Sequence, residues 1–282
     1  IQRLQASGPY VQGLVNDLDE LGQIEETQRL SQVKNPGAFK SLQFEGVGYR
    51  YPSSESNVLT DISLTIQAGE SVALVGETGC GKSTMMNLML GLLKPTEGQI
   101  KVNGQALGEC VNAWWKQIGY IPQSIYLLDD TIRANVAFGI EPDQIDDDKV
   151  RHSLQMASLA DYVAKQPLGL HTMVGERGVK LSGGQRQRLG IARALYHNPQ
   201  IIFMDEATSA LDNKTEADVM EAVNLMKVDR TLIIIAHRLS TIKSCDRIYY
   251  IERGRNNVSG DYSSLFAESK AFRELASHHI GN

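Results

Sequence analysis

Gly76-Glu77-Thr78-Gly79-Cys80-Gly81-Lys82-Ser83, with Thr84 next, fits the phosphate-loop pattern G-x-x-x-x-G-K-[ST]. Ahead of it, Ser71-Val72-Ala73-Leu74-Val75 is a short apolar, β-branched run that reads as a buried strand. Behind it, Thr84 to Leu93 is rich in Met and Leu and meets no helix breaker before Gly91. A strand, a Gly-rich turn and a helix are what such a loop requires. Glycines let the backbone curl so that several N–H groups point inward. The helix N-terminus adds partial positive charge, and Lys82 adds a full one for the β- and γ-phosphates. The Ser83 hydroxyl is placed to ligate Mg²⁺. A chance Gly-rich turn would explain the glycines but not the flanks.

The 282 residues are 42% hydrophobic and 22% charged, ordinary globular composition with ample material for a core. No run approaches the roughly 18 apolar residues of a membrane span, and no signal peptide pattern is present. The net charge of −5 gives no support to nucleic-acid binding. Cys80, Cys110 and Cys245 are odd in number and lack metal-ligand spacing, so free thiols in a reducing compartment are expected. The chain opens on Ile1 rather than Met, which suggests a piece of a longer protein.

Outward from the loop, residues 1–37 differ from the rest. Val11, Leu14, Val15, Leu18 and Leu21 recur at helical spacing, and Asn35-Pro36-Gly37 reads as a turn. Phe39 to Tyr51 and Val58 to Ile66 read as strands, as do Ile100 to Val102, closed by the hairpin signal Asn103-Gly104, and Ile118 to Ile121. Residues 124–180 carry no strong strand; Asp130 to Phe138 and Asp147 to Ala164 look helical, with Asp146-Asp147-Asp148 as N-terminal charge. Leu181-Ser182-Gly183-Gly184-Gln185 opens a helix from Arg186 to His197, with Ser182 a natural N-cap. Ile201 to Met204, Thr231 to Ala236 and Arg247 to Ile251 read as buried strands, Lys214 to Met226 and Tyr262 to Ser277 as helices.

Fully apolar strands alternating with helices imply a mainly parallel sheet covered on both faces. Ligands of such sheets sit beyond the carboxyl ends of the strands. Gly76, Gln123, Asp205, Glu206 and His237 all fall there. A carboxylate at Asp205 can hold Mg²⁺ beside the Ser83 hydroxyl, directly or through water. Glu206 suits a general base, or a group that orients the attacking water. Gln123 could ligate Mg²⁺ or water through its amide oxygen, and His237 could hydrogen-bond the γ-phosphate. For a lone polar residue at a strand end, stabilising a loop is the commoner role; the phosphate loop reverses that balance for Asp205 and Glu206. Leu181–Gln185 forms a second anion site at a helix N-terminus. One nucleotide has one set of phosphates, so a second copy arranged two-fold would let each copy's second site cap the other's γ-phosphate.

With these motifs in this order, the chain resembles the nucleotide-binding domain of an ATP-binding cassette (ABC) transporter of the exporter type, from about Leu42 to Leu275. Gly76 to Thr84 (Gly76, Glu77, Thr78, Gly79, Cys80, Gly81, Lys82, Ser83, Thr84) matches Walker A, Gln123 the Q-loop, and Leu181–Gln185 the family signature. Ile201 to Asp205 with Glu206 matches Walker B and its catalytic glutamate, Ser209-Ala210-Leu211-Asp212 the D-loop, and His237 the switch histidine. Tyr51 stands where the family stacks an aromatic ring on adenine, and a tyrosine face suits that use; Tyr49 reads as a plain strand residue. Val174 to Gly178 resembles the exporter X-loop, with Met173 where that pattern usually has Glu, and Gly254 to Gly260 departs from the usual ending.

The resemblance implies an α/β fold: a P-loop NTPase core with a mainly parallel sheet, an antiparallel β subdomain and an inserted helical subdomain. It implies a tail of a preceding transmembrane domain at 1–37, an ATPase domain at 38–282 and the helical subdomain at about 124–180. Expected ligands are ATP and Mg²⁺, the metal on Ser83, Gln123 and Asp205. Expected partners are a second ATPase domain, equal or different, and the transmembrane part of the same longer chain, with no nucleic acid. Two domains would close head to tail on two ATPs, with catalysis by Glu206, His237, Lys82 and Gln123, to drive export or flipping across a membrane. The expected location is the cytoplasmic face of a bacterial inner membrane. Cys80, at a helix N-terminus beside Lys82, is expected to carry an activated thiolate whose alkylation blocks nucleotide binding. The competing reading is a soluble ABC ATPase acting on nucleic acid; a phosphate-loop kinase would leave Leu181–Gln185 unexplained.

Overall fold

The computed structural model describes residues 35–205, 219, 221–223, 226, 227, 229–236 and 238–278, without the side chains of 240, 257 and 278. The helical readings of 1–34 and of most of Lys214 to Met226 lie outside these residues, as do Glu206, the D-loop and His237.

Two sheets form the framework. The first is antiparallel, built from β1 (Ser41–Tyr49), β2 (Leu59–Gln67), β4 (Glu97–Val102) and β5 (Gln105–Ala106) in the order β2-β1-β4-β5. The hairpin signal is correct: Asn103 and Gly104 both adopt positive φ, 52° and 81°, between β4 and β5. The second sheet has the order β10-β9-β3-β8-β7-β6. Its strands are β3 (Ser71–Val75), β6 (Ile118–Ile121), β7 (Ile201–Asp205), β8 (Thr231–Ile235), β9 (Arg247–Glu252) and β10 (Arg255–Gly260). All neighbours are parallel except the edge pair β9–β10.

The unbroken apolar runs have a physical reason. In β3, Val72 and Leu74 face one core cluster while Ala73 and Val75 face the other. The same alternation holds in β7, where Ile201 and Phe203 oppose Ile202 and Met204. Both faces are covered, so neither may be polar. One face meets the antiparallel sheet, α1 (Lys82–Met89) and α2 (Leu107–Trp115). The other meets α6 (Gly183–Leu195), α7 (Leu239–Lys243) through Ile242, the C-terminal helices α8 (Tyr262–Glu268) and α9 (Lys270–His278), and the buried Val219, Ala222, Val223 and Met226. Between β6 and β7 lie α3 (Ile132–Val136), α4 (Asp147–Met156) and α5 (Ala160–Ala164). No helix among the described residues is long and apolar enough to cross a membrane.

Some expectations change. The single helix expected from Asp147 to Ala164 is two. Ser158 takes a left-handed φ of 51°, and Leu159 N–H reaches back to the Leu154 carbonyl at 2.9 Å. This is a helix-terminating motif with Ser where Gly is usual, so the stop was hidden. Asp130 to Phe138 shrinks to α3, capped by Thr131. Helix α2 and strand β10 were not foreseen. β10 (Arg-Asn-Asn-Val-Ser-Gly) is a polar edge strand without alternation, held by its register with β9.

Trp114 joins the layers. It is fully buried, its Nε1 donates to the Met89 carbonyl at 2.9 Å, and its ring contacts Phe39 and, edge-on, Phe203. Trp114→Ala is expected to lower the unfolding free energy by about 3–5 kcal/mol, through lost contacts and the cavity left behind. A urea midpoint equal to that of the parent chain would contradict this role.

Candidate nucleotide site

The loop after β3 is fixed by what cannot fit beside it. A Cβ on Gly76 would collide with the Ile251 carbonyl of β9 and come within 2.7 Å of Cys80 Sγ. At Gly81 a Cβ would lie 2.6 Å from Leu59 Cδ2, and φ is 108°. These two glycines set the path by which the chain leaves β3 and enters α1. Gly81 is the N-cap of α1; it offers no side chain to the helix's first N–H groups, and no acidic residue sits in the first turn. The orphan donors and the dipole therefore face whatever lies in the loop.

Lys82 is 5% exposed. Its ammonium donates to the carbonyls of Gly76 and Glu77, each at 2.8 Å, with Cys80 Sγ at 4.0 Å as a third, soft neighbour. No carboxylate among the described residues pairs with it. A buried cation held only by dipoles is costly unless an anion shares the site. A phosphate oxygen would supply the missing charge and a better acceptor than the thiol. Glu77, Thr78, Gly79 and Ser83 are exposed around it.

Cys80 overturns its expectation. Its thiol is pushed up from the ordinary value, chiefly by burial; the charge of Lys82 pulls the other way and loses. The residue is 8% exposed. An activated thiolate needs both access and a positive field, and only the field is present.

The parallel order β3-β8-β7-β6 brings the carboxyl ends of these strands to one rim. Gly76 follows β3, Asp205 is the last residue of β7, and the exposed Gln123 stands two residues past β6. The Asp205 charge is felt on the neighbouring strand: burial first, and Asp205 as well, raise the Tyr120 hydroxyl. Ser83 hydroxyl, Gln123 amide oxygen and Asp205 carboxylate are hard oxygen donors and suit Mg²⁺. That ion commonly takes one or two carboxylates together with substrate phosphates rather than an all-protein cage.

Tyr51 lies beyond the end of β1, 37% exposed, while Tyr49 is 6% exposed and packs edge-on against it with centroids 4.9 Å apart. The contrast agrees with an accessible ring at 51 and a strand residue at 49.

Ser182 caps α6 as expected. Its Oγ accepts from Gln185 N–H at 3.2 Å, and Gln185 Oε1 accepts from Ser182 N–H at 2.8 Å. Ser182 and Gly183 are exposed and Gly184 is buried. Among the described residues, no hydrogen bond or ion pair joins 181–185 to 76–84.

Two positioning residues escaped the sequence reading. Arg193, on α6, donates to the carbonyls of Asn135 and Tyr126, both at 2.8 Å, and to Asn135 Oδ1 at 3.0 Å. Asn135, fully buried, also bonds both backbone groups of Leu128. Together they tie the segment after Gln123 to the helix that begins at Ser182. The sequence held little signal for either, since the same helix carries two further arginines, Arg186 and Arg188.

The ABC transporter family profile matches residues 59–209. The chain is 38% identical over 276 residues to an ATP-dependent lipid A-core flippase of Bordetella avium, across 98% of this chain and 46% of the relative. It is 41% identical over 237 residues to a putative multidrug export ATP-binding/permease protein of Staphylococcus aureus, across 84% and 41% respectively. A solved bacterial Atm1-family ABC exporter with ATP bound superposes with a TM-score of 0.79 at 33% identity, covering 97% of this chain and 52% of that one. The chain thus spans about half the length of the proteins it matches.

The Cys80 correction is testable. Because its thiol titrates above the ordinary value, the thiolate fraction at neutral pH is below that of a free cysteine. Alkylation by iodoacetamide should be slow at pH 7, and its pH–rate profile should inflect above the pKa of a free cysteine, about 8.5. An inflection below that pH, read by mass spectrometry of the 80-containing peptide, would restore the activated-thiolate view.

Proposed function

The chain belongs to the ABC transporter family, and from that premise we propose that it is the ATP-hydrolysing part of an exporter or flippase. It is an ABC ATPase domain, with the fold and ATP-binding capacity that this implies. The observation that carries the reading is the Lys82 ammonium, buried without a carboxylate partner among the described residues, between an uncapped helix N-terminus and its own loop carbonyls.

In the proposed cycle, ATP lays its phosphates along 76–84 and its base on Tyr51. Lys82 takes up charge on the β- and γ-phosphates. Ser83, Gln123 and Asp205 would hold Mg²⁺, which supplies charge neutralisation between the phosphates. Glu206 accepts the proton of the attacking water or orients it, and His237 hydrogen-bonds the γ-phosphate. Ser182 to Gln185 of a second ATPase domain caps that γ-phosphate from the opposite side. Ser182 and Gly183, exposed and without a hydrogen bond to 76–84 of their own chain among the described residues, support completion of the site in trans.

The transmembrane part of a longer chain, which would precede the ATPase domain with its tail and linker at 1–37 and meet the helical region 124–180, would convert closure into export at the cytoplasmic face of a bacterial inner membrane. The length of the relatives, about twice that of this chain, supports such a partner. Their printed names, lipid A-core flippase and multidrug export protein, do not favour the nucleic-acid alternative.

Glu206→Gln is expected to keep ATP binding and lose about 10²–10⁴-fold in turnover, the range for a lost general base. In the same variant, Mg-ATP should convert a monomer into a dimer on sizing, and adding Ser182→Arg should abolish that dimer. Near-parental turnover would remove Glu206 from the chemistry. An ATP-locked dimer that tolerates Ser182→Arg would remove the signature from the trans site.

A further inference from the structure

Tyr51 and Thr84 enter the site by different routes, one as a platform for the base and the other as the last residue of the phosphate loop. The structure joins them: the Tyr51 hydroxyl lies 3.2 Å from Thr84 Oγ1. Thr84 is in the first turn of α1 and is 7% exposed, so its hydroxyl has a fixed place. Tyr51 is held at two points, its tip by Thr84 and its ring by the edge-on contact with the buried Tyr49. Its remaining surface is open, at 37% exposure.

We propose that Thr84 is a positioning residue for base recognition: its hydroxyl holds the Tyr51 ring in the orientation that receives the adenine. The proposal rests on Tyr51 being the base platform. A platform acts by presenting one face, and a ring free to turn about two torsions loses that freedom when a base stacks on it. A ring pinned beforehand loses less, and the difference appears as affinity. The anchor belongs to the phosphate loop's own helix. The two ends of the nucleotide are therefore read against one rigid element, and the spacing between base face and phosphate donors is fixed before binding. The oxygen–oxygen distance is long for hydroxyls, so the bond is modest and the effect is small.

The test compares Mg-ADP with Mg-pyrophosphate, which shares the phosphates and lacks the base, by titration calorimetry. Thr84→Val and Tyr51→Phe should each weaken ADP by about three- to fivefold, the net worth of one modest hydrogen bond. Tyr51→Phe should leave pyrophosphate affinity unchanged, and Thr84→Val should lower it less than it lowers ADP affinity. The double variant should be no weaker than either single one, and Thr84→Ser should restore parental ADP binding. Losses that add, or an equal loss of pyrophosphate binding in Thr84→Val, would overturn the positioning role and leave Thr84 a phosphate contact. Tyr51→Phe, at a half-exposed side chain, carries the test if Thr84→Val does not fold. Tyr51→Ala separates the two layers of the argument. If it leaves the ratio of ADP to pyrophosphate affinity unchanged, the platform reading itself fails. If it lowers that ratio while Tyr51→Phe and Thr84→Val do not, the platform stands and the positioning role fails.

Discussion

The Lys82 ammonium, caught between the carbonyls of Gly76 and Glu77, is the interaction on which the site depends. It folds the loop back over the start of α1 and keeps a full charge in a place water barely reaches. That arrangement is possible only because the backbone turns sharply at Gly76, where β9 leaves no room for a side chain. The turn in turn requires β3 to sit between β8 and β9, in a sheet covered on both faces. The apolar core and the charged loop are therefore one construction. The strands cannot carry polar groups along their length, so all the chemistry is pushed to their ends.

This division explains what was legible in the sequence. Residues 72–75, 201–204 and 232–235 are apolar throughout because both faces are buried, and their ends mark the rim. The phosphate loop and the Ser182 cap were equally plain, since their residue types answer to local backbone geometry. Features set by tertiary contact were hidden. β10 is a strand because β9 offers it a register, not because Arg255–Gly260 prefers extension. The break at Ser158 depends on Leu159 finding the core. Cys80 shows the same limit in chemical form. Its neighbours in sequence supply a cation and a helix N-terminus, but burial decides its protonation.

The segment after Gln123 is held in a related way. Arg193 makes its three bonds to carbonyl oxygens and an amide, and its guanidinium lies 4.8 Å from the Phe138 ring centre. Burial lowers its pKa, yet guanidinium remains charged in proteins. Dipoles and a ring face, rather than a carboxylate, compensate it. Such a joint fixes direction closely, because each bond has its own geometry. It makes the exit from β6 and the body of α6 a single unit, so a displacement at either is transmitted to the other.

The two helix N-termini of the site differ in a way that matches their uses. At α1 the cap is a glycine without a side chain, and the first-turn donors are left for a ligand. At α6 a capping box consumes the N–H groups of Ser182 and Gln185, leaving those of Gly183 and Gly184 and the proton of the Ser182 hydroxyl. The first end is suited to hold several phosphate oxygens. The second is stiffer and has fewer donors, so it suits one oxygen already held elsewhere. An anion site of that kind adds little alone and much when a nucleotide is presented to it in a fixed place. In the proposed closed dimer, the Ser182 hydroxyl would then discriminate a terminal phosphate that reaches it from one that falls short.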